Sequence, residues 1–258
     1  MNSTRRNIFY GDSHTQGYEI DHDKILGRDT FREKQDLIHQ FGLHQAIMMW
    51  NHKMGRATNM TPYDFAHRRV VGSYPLQFDN DAIIIANGAM SMDYLHLQLV
   101  NDYNDGRIKG YHDRLFIGMC RPTRTYSLHR DGSFNYSHQD MDGTAEYMTD
   151  IRYAVTWALA CQSIMDFCKL RHIPFHFVQH FPLNSNPRGA EIHSHPDLLN
   201  SPKYMGVYVD TIMNMQPHII PKSLHEFGEE RNYHGFYHTT AMGHNVFATY
   251  LKNYLTNP

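Results

Sequence analysis

Two short stretches at opposite ends of the chain hold the residue types that acyl-transfer chemistry needs. The first is Gly11-Asp12-Ser13-His14-Thr15-Gln16-Gly17. It directly follows an apolar run, Asn7–Ser13, that reads as a strand. A serine at a strand-to-helix turn projects its hydroxyl from the rim of a sheet, and its N–H can face a developing oxyanion. A serine hydroxyl is a weak nucleophile until an external base takes its proton. The bland alternative is a turn or helix cap, for which Asp and Ser are ordinary choices. The second stretch, His238-Thr239-Thr240-Ala241-Met242-Gly243-His244, precedes an apolar helical pattern. Thr239 or Thr240 can cap that helix, leaving His238 to deliver an imidazole base. In a chain with 20 histidines, most of them are expected to be ordinary surface or loop residues.

A third set could bind metal. Glu191-Ile192-His193-Ser194-His195 and the trio His172, His176 and His180 have suggestive spacing. Pro174 and the aromatic run Phe175–Phe181 read as a strand, however. Spacing by four along a strand spreads side chains over about 13 Å, too far for one ion. No HExxH helix is present, and no metal or other cofactor is expected.

The elements that must position these groups follow from hydrophobic periodicity. Strands are expected at Asn7–Ser13, Ala82–Gly88, Arg114–Cys120 and Pro174–Phe181. The continuous run Ala82-Ile83-Ile84-Ile85-Ala86 suits a strand covered on both faces. Helices are expected over Phe31–Met54 with an interruption at Gly42, over Ser91–Tyr103, and over Asp150–His172. In the last of these, Ala154, Ala158, Cys161, Met165 and Cys168 recur at intervals of four and three, with Val155, Trp157, Leu159 and Ile164 widening the apolar surface. A final helix spans about Thr240 to Tyr254, with Phe247, Tyr250, Leu251 and Tyr254 on one face. Strands alternating with helices predict a three-layer α/β/α fold. Its flavodoxin-like parallel sheet would have about five strands, with helices on both faces. Ligands of such sheets bind beyond the carboxyl ends of the strands, which gathers Ser13, Gly88 and Cys120 at one rim. The 258 residues read as one domain, with long loops around 55–81 and 184–223.

In order, these blocks resemble the SGNH/GDSL hydrolase superfamily. Gly11-Asp12-Ser13 and His238 through Gly243-His244 match its first and last blocks, and Asn87-Gly88-Ala89-Met90-Ser91-Met92-Asp93 its second. Arg114–Cys120 followed by Arg121-Pro122-Thr123-Arg124 matches the third block region. The resemblance runs from Gly11 to Leu251 and is nearest to divergent phage-encoded members. It implies a serine esterase or deacetylase with Ser13 as nucleophile and His238 as base. The oxyanion would be held by Ser13, Gly88 and the position of Cys120. Arg121 and Arg124 would bind an anionic or polyhydroxylated substrate, or form a surface pair. Two positions depart from the family. Cys120 stands where it carries asparagine, and Gly235 where it carries the aspartate three residues before the histidine. Glu229, Glu230 or Asp210 could supply the acid, or a Ser13–His238 dyad could work with a backbone carbonyl. The departures also motivate the alternative of a catalytically silent SGNH-fold binding or structural protein, such as a virion component. A nuclease or metal hydrolase stands third.

Composition narrows the partners. Lys plus Arg number 24 and Asp plus Glu 26, so the net charge is −2 and the basic footprint of a nucleic-acid binder is missing. The expected partner is a small-molecule or glycan acyl ester. Neither nucleic acid nor membrane is expected, while oligomer or virion assembly stays open. Cys120, Cys161 and Cys168 form no disulfide framework and are expected as free or inert buried thiols. The polar, basic start lacks the apolar core of a secretory signal, so a cytoplasmic or virion-associated location is expected. Apolar residues make up 41% of the chain, which predicts an adequate core with extensive loops. Protonating all 20 histidines would move the net charge from −2 to +18 (−2 + 20), so acid pH should change the molecule strongly.

Overall fold

The strands alternate their side chains between two apolar layers, and this alternation organises the structure, a computed structural model. It describes residues 5–66, 68, 70–86, 90–120, 124–128, 134–138, 150–180, 210–211, 213–227 and 238–256. Four parallel strands, β1 (Arg6–Gly11), β2 (Ile83–Ala86), β3 (Asp113–Met119) and β6 (Phe175–Gln179), form one sheet in the order β2-β1-β3-β6. The register pairs Ile8 with Ile83 and Leu115, and Ile117 with Phe177. This is the start of the doubly wound strand order in which a crevice opens at the carboxyl edge.

On one face of the sheet, Ile8, Tyr10, Leu115, Ile117 and Phe177 pack against helices α7 (Met92–Asn104) and α8 (Asp150–Leu170) through Leu95, Leu99, Trp157, Cys161 and Met165. On the other, Phe9, Phe116 and Val178 meet Tyr74 and Leu76 of α6 (Tyr74–Phe78) and Phe247 and Leu251 of α9 (Ala241–Thr256). Period-two alternation on buried strands therefore produces the three-layer α/β/α arrangement.

Between β1 and β2 the chain makes a helical excursion: α1 (Ser13–Gln16), α2 (His22–Leu26), α3 (Phe31–Phe41), α4 (Leu43–Thr58) and α5 (Pro62–Ala66), before α6. It carries its own small core of Tyr18, Ala46, Trp50, Met54 and Phe65. Gly42, at φ 77°, lies in the left-handed region and breaks α3 from α4, as its place in the sequence predicts. The stretch 55–81, expected as loop, holds the end of α4 together with α5 and α6.

Some details were not expected from the sequence. Strand β2, read as covered on both faces, leaves Ile83 37% exposed, and among the described residues it lies at an edge of the sheet beside β1. Leu159 of α8 points outward and is half-exposed, while Trp157 and Ile164 are buried. Among the described residues the sheet has four strands. The position beyond β6 is taken by 219–224, which pairs at a single parallel bridge, Phe177 with Ile219. There Ile220 N–H donates to Phe177 O at 2.9 Å and Leu224 N–H to Gln179 O at 2.8 Å. Lastly, an antiparallel pair that the periodicity did not suggest, β4 (Arg124–Leu128) and β5 (Phe134–His138), forms a second sheet.

The three cysteines are free and buried, and burial pushes the Cys168 thiol up to about 12. Among the described residues no helix is long and apolar enough to cross a membrane.

Candidate active site

Strand β1 ends at Gly11, and the next residue turns the chain. Asp12 is extended, and its Oδ1 accepts the His14 N–H at 3.0 Å, which caps α1 and makes Ser13 its first residue. The helix lasts one turn. Gly17, at φ 78°, closes it by donating its N–H to Ser13 O and His14 O. Two residues later Glu19 also takes the left-handed conformation, at φ 78°. This costs a residue with a Cβ about 1–2 kcal/mol. Two left-handed residues in three curl the backbone tightly, so a carboxylate only six positions after Ser13 returns to the same site.

The imidazole arrives from the far end of the chain. Thr240 Oγ1 accepts the Gly243 N–H at 3.3 Å at the start of α9, so Thr240 is the capping threonine. His244 Nδ1 accepts the Tyr74 N–H at 3.0 Å and ties α9 to α6. His238, three residues ahead of α9, is thereby held over β1. Its Nε2 lies 2.8 Å from Ser13 Oγ and its Nδ1 lies 2.7 Å from Glu19 Oε2. His238 and Glu19 are buried, whereas Ser13 keeps partial access to solvent.

The carboxylate has a second partner. Lys34 Nζ, from α3, lies 2.7 Å from Glu19 Oε1, and both side chains are fully enclosed. The Lys34 ammonium also stands 5.2 Å from the centre of the Trp50 ring, within cation–π range. Burial by itself pushes the Glu19 carboxyl up. His238 and Lys34 outweigh that push and hold it below the usual carboxylate range. An ionised Glu19 only accepts hydrogen bonds, so His238 carries its proton on Nδ1 and presents a lone pair on Nε2. A hydroxyl donating to that lone pair can pass its proton to the imidazole as it attacks an electrophile.

A second acid–histidine–hydroxyl chain lies behind the first. His180, directly after β6, places Nδ1 3.2 Å from Asp12 Oδ1, off the line of a hydrogen bond. Its Nε2 is 2.9 Å from Thr15 Oγ1 and 3.4 Å from the Tyr74 hydroxyl. His14 sits between the two chains, its ring centre 4.6 Å from that of His238 and 5.4 Å from that of His180. Two glycines make room for Thr15. A Cβ on Gly11 would come 2.0 Å from Thr15 Oγ1, and one on Gly118 2.5 Å from it and 2.6 Å from His180 Cε1. Gly11 therefore belongs to the packing beneath the turn as well as to the motif.

The structure brings together Ser13 and His238, with His14 beside them and His244 of α9 bonded to Tyr74 of α6. The acid at His238 comes from Glu19, not from Asp210, which is exposed, and no dyad resting on a backbone carbonyl is needed. Glu229, Glu230 and His234 lie outside the described residues, as do Gly88, Arg121 and the Glu191–His195 cluster. Arg124 opens β4. Cys120 ends up in the core at the end of β3. Its N–H donates to Met92 Sδ at 3.4 Å, its Sγ points to Gly118 O at 3.7 Å, and its carbonyl accepts the Trp157 indole N–H at 2.9 Å. His176 lies along β6, stacked near Phe116, and His180 reaches Asp12 and Thr15. Among the described residues no group of three or more His, Cys, Asp or Glu could hold a metal ion.

Glu19, Lys34 and the Asp12–His180–Thr15–Tyr74 chain were not found by sequence reasoning. Tyr18-Glu19-Ile20 matches no motif, and Lys34 sits in the charged run Arg32-Glu33-Lys34-Gln35. The one available signal was the shortness of α1, since a turn closed at Gly17 sends the next residues back toward Ser13. No protein-family model matches the chain, and no curated protein was found to be similar to it.

Proposed function

We propose that the protein is a serine hydrolase of SGNH-like fold that cleaves an acyl ester, on a small molecule or a decorated glycan. The observation that carries this reading is the continuous chain from Ser13 Oγ to His238 to Glu19, at 2.8 and 2.7 Å. Ser13 attacks the ester carbonyl while His238 Nε2 takes its proton. Glu19 stabilises the imidazolium and fixes its tautomer. The Ser13 and Gly88 N–H groups are assigned to the oxyanion by the resemblance, and Arg121 and Arg124 to binding an anionic or polyhydroxylated substrate. His238 then returns the proton to the leaving alcohol, and water hydrolyses the acyl-enzyme by the same steps in reverse. The test is turnover of p-nitrophenyl acetate by the wild-type protein and by Ser13→Ala. A burst of p-nitrophenol that Ser13→Ala lacks supports the reading, and equal rates for the two proteins sink it.

One observation favours the other reading, a catalytically silent binding or virion protein. Cys120 turns its N–H to Met92 and its thiol to Gly118, so it offers no donor there in place of the family's asparagine. Losing one oxyanion donor costs about 10²–10³ in rate, which slows such a site without abolishing it.

A further inference from the structure

We infer that Lys34 is a positioning residue of this site: it holds Glu19 Oε1 so that Oε2 faces His238, and its charge keeps the Glu19–His238 pair free to accept a proton from Ser13. The effect on turnover rests on the hydrolase reading, whereas the effect on the imidazole does not.

A buried lysine with a fully enclosed side chain is rare unless paired. Here the partner is the same carboxylate that faces His238, each through a different oxygen at 2.7 Å. Trp50 supports the ammonium from behind, and Trp50 is itself fixed by donating its indole N–H to His22 Nδ1 at 3.0 Å. The excursion core thus reaches the site through one cation.

The charge count gives the consequence. With Lys34 present, the enclosed set of Glu19, His238 and Lys34 goes from neutral to +1 when it accepts a proton. Without Lys34 it goes from −1 to neutral. In a water-poor interior a set carrying −1 draws a proton more strongly than a neutral one. This holds whether the proton settles on the imidazole or on the carboxylate, since the pair titrates as a unit. A pair that is already protonated cannot act as a base. Lys34 therefore preserves the base toward lower pH, in addition to orienting it. The other groups facing His238 are the same with or without Lys34. Among the described residues they are Ser13 at Nε2, the His14 ring at 4.6 Å and the Tyr18 ring at 5.2 Å. Asp12 and His180 lie beyond His14, and Arg68 acts on Tyr18.

The test is an NMR titration of ring-labelled histidines in the wild-type protein, Lys34→Met and Lys34→Gln, with His238 assigned by its loss in His238→Gln. The midpoint reported by His238 moves up by one pH unit or more in either folded variant, and the acid limb of kcat/KM moves with it. An unmoved midpoint in a folded variant overturns the inference. If neither variant folds, the wild-type Lys34 ¹⁵Nζ resonance decides. It should shift with the same midpoint as the His238 ring, and a resonance indifferent to that titration overturns the inference. A shifted midpoint in a protein with no ester turnover leaves the Lys34 inference standing and removes the hydrolase reading.

Discussion

Two chains of acid, histidine and hydroxyl meet at the rim of the sheet, and they differ in access and alignment. Glu19–His238–Ser13 ends in a hydroxyl that keeps access to solvent, whereas Asp12–His180–Thr15 ends in one fully buried between Gly11, Gly118 and Tyr74. In the first, the carboxylate lies within hydrogen-bond reach of the imidazole. In the second, the Asp12 oxygen lies off the line of a hydrogen bond while also capping α1. The first carboxylate also has an enclosed cation, Lys34. The same three chemical groups can therefore be a nucleophile with its base or a clasp that holds a turn. Access and alignment distinguish the two more than residue type does.

Removing the two hydroxyls should separate them most widely. Ser13→Ala lowers ester turnover by about 10⁴-fold or more with the fold intact. Thr15→Val keeps turnover within about tenfold and lowers unfolding free energy by about 1–3 kcal/mol, because His180 and Tyr74 lose a buried partner. Steady-state rates and urea unfolding of both variants check this, and loss of turnover in Thr15→Val alone would reverse the two roles. The carboxylates come next. Glu19→Gln removes the carboxylate that faces the enclosed Lys34 and His238, and costs about 3–5 kcal/mol. Turnover falls with it by about 10²–10⁴. Asp12→Asn still caps α1 and should cost about 1 kcal/mol or less. Comparable stability losses in both would show that the Lys34 pair is not what sets the chains apart.

Acid pH should reveal histidines belonging to neither chain. Burial, helped by Arg114 and His218, brings the His176 imidazole down to about 4. The unfolded histidine takes its proton near 6.5, so between about 6.5 and 4 the unfolded state binds more protons. Stability is full above that window and falls through it, by up to about 3 kcal/mol for this residue. Glu19, held low, contributes stability above the ordinary carboxylate range and loses it only below. Burial also lowers the His96 and His218 imidazoles, which adds to the acid loss. Urea unfolding from pH 7 to 4 should show the decline, and His176→Phe should flatten it in part. A further effect is expected at Gly118→Ala. The added Cβ presses on Thr15 and His180, costing about 1–3 kcal/mol. It should lower Tm by a few degrees while leaving Ser13 reactive, and an equal loss of kcat would couple the two chains.

How much of this was legible in the sequence depended on the range of the interaction. Each of the four parallel strands and the long helices announced itself, because a buried strand or helix face needs apolar side chains at its own period. Ser13 and His238 were legible because each begins or precedes an element with turn and capping residues around it. The β4–β5 pair carried a usable signal in Asp131-Gly132, between Tyr126 and the alternating Phe134 and Tyr136, a favoured hairpin dipeptide. The edge position of β2 had none. Its Ile83-Ile84-Ile85 run reads as covered on both faces, and only the order of strands places it at an edge among the described residues.

Glu19 and Lys34 were illegible for a stronger reason. A glutamate in a short loop and a lysine in a charged helical stretch are by default solvated, and nothing local says otherwise. What turns them into an enclosed pair is the curl at Gly17 and Glu19, the packing of α3 and α4 around Trp50, and the return of residue 238 from the other end of the chain. Sequence alone determined the layers, the rim and the pairing candidates Ser13 and His238, since those rest on local periodicity and turn chemistry. Tertiary structure alone decided which acid faces His238, which cation faces that acid, and which of two similar chains is open. Burial and charge pairing are properties of the space between segments, which no single segment encodes.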